Sequence, residues 1–205
     1  MKPIKIAQNV DAKVLSRVYG LRRGSVFATT RFLDLGGRAA IDKALSRLAQ
    51  RGIIRRLARG LYDYPKTHPR LGLLAPSADI IADALVHQEK APLQPSGAYA
   101  ANLIGLSEQV PMKVVFLTTG TPRRVRVGRQ EIILKRTTPR QMATAGRVSG
   151  LVIQALRYLG QRQVDTKSLS SLRSRLNVQD RLQLMRDARM APAWIARHLR
   201  ELAKE

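Results

Sequence analysis

Two periods alternate along the chain: stretches with apolar residues three and four apart, and short runs dense in apolar and β-branched residues. From Arg38 to Arg51, Ile41, Ala44, Leu45 and Leu48 fall on one stripe, which predicts a helix with one face in a core. Gly36-Gly37 precede it and Gly52 follows as its natural C-terminal cap. A shorter helix is expected over Arg31 to Leu35, with the hydroxyl of Thr29 or Thr30 as its cap. Upstream, after a loose lead-in over residues 1–9, Val14, Leu15 and Val18 predict a helix from Val10 to Tyr19. Val26-Phe27 reads as a short strand. Ile53 to Leu57 and Leu61 to Tyr64 read as two more strands, turning at Ala58-Arg59-Gly60 where glycine permits a positive φ.

Pro65 to Pro76 holds three prolines and a glycine, which break regular structure and set the expected domain boundary. Beyond it, Ser77 is the expected cap of a helix over Ala78 to Gln88, and an alanine-rich helix runs from about Ser96 to Ile104. Lys113 to Thr119 is an apolar strand, Arg123 to Val127 alternates, Gly128-Arg129 turns, and Glu131 to Arg136 returns, which predicts a small antiparallel sheet. Helical patterns then cover Gly146 to Leu159, Thr166 to Leu176, Gln179 to Ala188 and Pro192 to Ala203. The expected fold class is α+β: a first domain over residues 1–70, and a second α+β domain over 77–205 with a helical tail.

Helix, glycine turn, helix and basic hairpin, in that order, make a winged helix-turn-helix pattern. Arg38, Ala39, Asp42, Lys43, Ser46 and Gln50 point away from the apolar stripe of its second helix. That outer face suits a major groove, because small residues allow close approach while Arg, Lys, Ser and Gln read base edges. Arg55, Arg56 and Arg59 of the hairpin would lie beside phosphates. Thr30 and Arg31 at the first helix, with Arg47 on the second, complete the candidate DNA-binding set. The competing reading, an amphipathic helix and hairpin with solvated charges, weighs less because all the parts occur together.

Charge strengthens this expectation. Lys plus Arg number 37 against 14 Asp plus Glu, a formal charge of +23, and the pI is near 11.6. A polyanionic partner follows, with double-stranded DNA first. Residues 1–76 carry 16 basic and 4 acidic groups, residues 77–146 carry 9 and 5, and residues 147–205 carry 12 and 5. No apolar run long enough to span a bilayer is present, and MKPIKIAQNV lacks the apolar core of a secretory signal. With no cysteine, disulfides and thiolate metal sites are excluded, and a cytoplasmic location is expected.

Catalytic chemistry finds no support. His68, His87 and His198 lie far apart, no phosphate-loop, dinucleotide or nucleophile-elbow motif occurs, and no cofactor or metal is expected. Asp79 and Asp83, one helical turn apart, read as a solvated face near a helix start rather than a cation site. Arg124 and Arg126 share a face of an alternating strand and form a candidate second anionic site, evenly matched against a charged solvent face. Trp194 is expected as a core anchor of the last helix.

The basic hairpin ending in GLYDYP, followed by PSGAYAANLIGLSEQVPMKVVFLTTGTPRRVRVGRQEIILKR, resembles the AbiEi-type antitoxins of abortive-infection toxin–antitoxin modules. The resemblance covers about residues 10–200 and is strongest over Ala98 to Val127. It implies a winged helix that binds promoter DNA as an autorepressor, and a C-terminal domain that neutralises a nucleotidyltransferase toxin encoded beside it. It also implies that Arg38, Asp42, Lys43 and Ser46 face DNA with Arg55, Arg56 and Arg59, and it fixes no residue after Ser77. A solitary regulator without a toxin and a non-specific nucleic-acid or RNA-binding protein are the rival readings.

Overall fold

The computed structural model describes residues 6–204, with side chains from Val10 onward. Residues 1–5 of the expected lead-in lie outside the described residues, and Ile6 already belongs to the first helix. The fold is α+β, and the chain divides into two compact units, Met1–Lys90 and Ala91–Glu205.

The first unit runs α1 (Ile6–Tyr19), β1 (Val26–Ala28), a 3-10 turn (Thr29–Leu35), α2 (Arg38–Gln50), β2 (Arg55–Ala58), β3 (Leu61–Asp63), β4 (Thr67–His68), β5 (Gly72–Leu73) and α3 (Ala78–Val86). β3 pairs antiparallel with both β1 and β2. The expected stripe of α2 is buried throughout, joining Val14 and Val18 of α1, Phe27, Phe32 and Tyr62 in one core. Phe27 meets Phe32 edge-on at 5.3 Å and stacks on Tyr62 at 6.3 Å. Full burial of each such side chain stabilises by about 1.5–3 kcal/mol. α2 ends on a Schellman motif, with Gly52 N–H donating to Ala49 and Ile53 N–H to Leu48 at 3.0 Å each. Gly52 has φ +70°, which a side chain would oppose.

Three expectations for this unit are corrected. The segment after β1 is a 3-10 turn without a side-chain cap. Thr29 is buried, and its backbone N–H and hydroxyl both donate to the Gly60 carbonyl, at 3.0 and 3.4 Å. Its hydroxyl therefore locks the hairpin turn instead of capping a helix. Pro65 to Pro76 is not structureless, since Thr67–His68 and Gly72–Leu73 pair as a small hairpin. The units also divide after Lys90 rather than within that stretch, because α3 packs on β1 and Gln88 Nε2 donates to the Thr30 carbonyl at 2.6 Å. The Ser77 hydroxyl accepts from Ile80 N–H and caps α3 as expected.

The second unit contains β6 (Leu93–Ser96), α4 (Gly97–Leu103), β7 (Lys113–Thr118), β8 (Arg123–Val127), β9 (Gln130–Arg136), a 3-10 turn (Pro139–Met142), α5 (Val148–Leu159), α6 (Thr166–Arg175), α7 (Val178–Asp187) and α8 (Ala193–Ala203). Its sheet is mixed, in the order β6-β7-β9-β8, with β7 and β9 parallel. This corrects the expected antiparallel sheet. Val114, Phe116, Ile132 and Leu134 are buried, so β7 and β9 both need interior positions. Exposed Arg124 and Arg126 suit only an edge. The β8–β9 hairpin therefore returns β9 between β8 and β7. β6, carrying Pro95, is the other edge and was not expected.

The four C-terminal helices pack Val152 and Leu156 of α5 against Leu172, Leu184, Ile195 and Leu199. Trp194 packs against this cluster as expected. Asp165 caps α6, and Asn177 with Asp180 forms a capping box on α7. Asp187 is buried and accepts from Arg147 at 2.8 Å, from Gln183 at 2.9 Å and from the Ser149 hydroxyl, tying the start of α5 to the end of α7. Burial pushes its carboxyl up, but these donors outweigh it and hold the group below the usual carboxylate range. Among the described residues, no helix is long and apolar enough to cross a membrane.

Candidate nucleic-acid interface

α2 is fixed on the core by its stripe and by Arg47, which forms a bidentate pair with Asp11 of α1 at 2.6 and 2.9 Å. Ala39, Lys43, Ser46 and Gln50 stand opposite the stripe, all exposed, and the last three make no side-chain bond among the described residues. Arg38 Nε bonds Asp42 at 2.9 Å, with both side chains about half exposed. A pair of that kind is worth at most about 1 kcal/mol, so Arg38 can exchange Asp42 for a phosphate or a base edge. Gly37 at the N-cap offers no side chain to the exposed first turn of α2. Its N–H groups are open to an anion, a feature that the glycine itself signals.

The hairpin divides its arginines. Arg55 forms a bidentate pair with buried Asp63 and also donates to the Leu74 carbonyl at 2.9 Å. It braces β2 against β3 and the chain beyond, in contrast to the free phosphate contact expected of it. Arg56 and Arg59 are exposed, and their side chains make no bond among the described residues. Arg59 stands at the turn, where Gly60 has φ +70° and the register slips between Arg56 and Ala58. An open groove of about 470 Å³ runs between the end of α2 and the hairpin, bordered by Arg23, Arg56 and Thr67. Arg23 lies over the Tyr64 ring at 4.7 Å and donates to the Pro65 carbonyl at 3.3 Å. Sequence reasoning missed Thr67 because it fell in the expected linker.

Thr30 and Arg31 lie elsewhere. Both are half-buried; the Thr30 carbonyl holds Gln88, and Arg31 lines a groove beside α1 with Lys13, Ser16 and Arg17. Arg47 is likewise engaged within the unit. The side chains brought together on one exposed face are Lys43 and Ser46 with Arg38 and Asp42; Arg56 and Arg59 project from the hairpin.

Residues 13–184 match a family described as a family of unknown function (DUF6088). The chain belongs to that family. The match runs from α1 to α7 and so includes parts of both compact units. No curated protein matches the chain.

In the second unit, Arg124 and Arg126 are exposed on one face of β8, where the register sets Arg126 opposite Glu131. Arg124 Nε lies 3.4 Å from Glu131. The same parity puts Lys113 and Lys135 on that face. Division after Lys90 also changes the charge picture. Residues 1–90 carry 17 basic and 7 acidic groups, +10, and residues 91–205 carry 20 and 7, +13. Asp79, Asp83 and Glu89 bring the first unit down, so the two units are about equally basic for their length. Burial, and then the Asp79 charge, pushes the Asp83 carboxyl up. Among the described residues, no three His, Asp or Glu side chains gather as a metal site.

Proposed function

We propose that the chain is a cytoplasmic DNA-binding protein whose first unit is a winged helix, acting as autorepressor and antitoxin of a nucleotidyltransferase-type toxin–antitoxin module. The supporting observation is the outer face of α2: Lys43, Ser46 and Gln50 are exposed, with no side-chain partner among the described residues, opposite a fully buried stripe. The order α1, 3-10 turn, α2 and the β1-β3-β2 sheet supports reading α2 as the recognition helix and the β2–β3 hairpin as the wing. The antitoxin half rests on the resemblance of Ala98 to Val127 and its flanks.

The DNA half is tested by titrating the full chain with its own upstream promoter fragment and with a random duplex at one salt concentration. Lys43→Ala lowers promoter affinity by about 1–3 kcal/mol and random-duplex affinity by less, as expected for a lost base contact. Unchanged promoter affinity in both Lys43→Ala and Ser46→Ala overturns the recognition helix. Equal affinity of the wild type for both duplexes favours the non-specific reading. The antitoxin half is tested by co-expression with the nucleotidyltransferase of the adjoining reading frame. Absence of such a frame, or of protection, leaves the solitary regulator.

A further inference from the structure

A cavity of about 310 Å³ lies in the second unit between the Pro139–Met142 turn, α5 and the residues before α8. That volume is at the lower end for small-molecule sites. Its charged lining is Arg140 and Arg157, and no carboxylate borders it. Both guanidinium groups are exposed, and neither makes an ion pair or hydrogen bond among the described residues. Thr144 and Gln154 also line it and are 5% and 6% exposed. Gln154 Oε1 accepts from the Ser96 hydroxyl at 3.1 Å, which leaves its amide N–H groups without a partner among the described residues. The buried Thr144 takes a backbone N–H from Arg147 on its carbonyl, and its hydroxyl belongs to the cavity lining. Both residues line the cavity, so these groups can bond a ligand held there. Ile153, Met190 and Pro192 add apolar wall.

We propose that this cavity binds a small phosphorylated ligand of the nucleoside monophosphate class. Two unpaired arginines take the phosphoryl group by charge-assisted bonds. The Thr144 hydroxyl and the Gln154 and Gln141 amides meet the ligand's polar edge, while the apolar wall meets its ring. Enclosure by buried Thr144 and Gln154 argues for a whole small molecule rather than a passing nucleic-acid backbone, which open basic faces hold. The proposal is independent of the DNA reading, because none of these residues belongs to the first unit.

The test is calorimetric titration of the full chain with the four nucleoside monophosphates, their unphosphorylated nucleosides, inorganic phosphate and a 5′-phosphorylated tetranucleotide. Because a chain of +23 attracts any anion, an Arg140→Ala/Arg157→Ala double variant and an Arg56→Ala/Arg59→Ala double variant are measured beside it. At least one monophosphate is expected to bind ten-fold or more tighter than its nucleoside. That binding falls at least ten-fold in the Arg140/Arg157 variant and holds within two-fold in the Arg56/Arg59 variant. A Thr144→Val variant, close in volume, is expected to weaken the same ligand several-fold with an unchanged melting temperature in the absence of ligand. Binding unaffected by the Arg140/Arg157 change shows loose adsorption and overturns the site. Stronger binding of the tetranucleotide than of every monophosphate overturns the small-ligand assignment, as does no binding at millimolar monophosphate.

Discussion

The two units carry similar charge and dispose of their carboxylates differently. In residues 1–76 each of the four acids holds an arginine: Asp11 holds Arg47, Asp34 holds Arg17, Asp42 holds Arg38 and Asp63 holds Arg55. Asp34 is kept low by the Arg17 hydrogen bond, and Arg17 is raised in turn. In the second unit Asp165 and Asp180 cap helices, while Glu131 and Asp187 pair with arginines. A basic surface is therefore sorted in two ways. Residues 1–76 select their free cations by subtraction, which leaves the side chains of Lys43, Arg56 and Arg59 without a partner among the described residues. The second unit places two of its seven acids, Asp165 and Asp180, at helix starts, and Arg140 and Arg157 border a cavity without an acid.

The largest effect that bears on this contrast is expected at Asp187, the buried acid that departs from the capping habit of its unit. Asp187→Asn replaces a charge acceptor of three donors and is expected to lower stability by about 2–3 kcal/mol. Its pH dependence has a definite sign. A carboxyl held below its unfolded value of about 3.9 stabilises the protein above that pH, and the contribution is lost as pH falls through the folded value. The wild type should thus lose stability more steeply than Asp187→Asn as pH falls below about 4 in acid titrations of the unfolding midpoint. Parallel curves would mean that Asp187 carries no such role.

A somewhat smaller effect belongs to Asp63→Asn, because Asp63 serves one partner where Asp187 serves three. Stability should fall by about 1–2 kcal/mol, with Arg55 left to the Leu74 carbonyl. If subtraction governs the first unit, releasing Arg55 also raises affinity for random duplex and steepens its salt dependence. A stability loss with no gain in duplex affinity would separate the brace from the basic surface.

The sorting of arginines is the part that could not be read from sequence. Three of the pairs join residues 36, 17 and 8 positions apart, so only the folded chain brings them together. The stripe of α2 and the four C-terminal helices were legible because each is a local period with local stop signals, such as Gly52, Asn177 and Pro192. The parallel pairing of β7 with β9 was not, because strand neighbours are chosen by burial across the whole unit. β6 escaped because Leu93-Gln94-Pro95-Ser96 has no strand period, and its Pro95 is tolerated only at an edge. The place of α3 was hidden by prolines, which mark a turn but not which core the next helix joins.

The smallest expected effects compare neighbouring arginines on one strand and then one unit with the other. Arg56→Ala and Arg59→Ala should each lower the salt slope of duplex binding by about one unit, for promoter and random sequence alike. Arg55→Ala should leave that slope unchanged and lower the melting temperature instead, because its guanidinium is held by Asp63 and Leu74. On β8, Arg124 shares Glu131 at 3.4 Å, an exposed pair worth about 0–1 kcal/mol, while Arg126 makes no ion pair among the described residues. If that face touches the same duplex, Arg126→Ala lowers the slope as Arg56→Ala does, and Arg124→Ala lowers it less. A slope identical to wild type in both variants confines duplex contact to the first unit and leaves the charge of the second for a different anion.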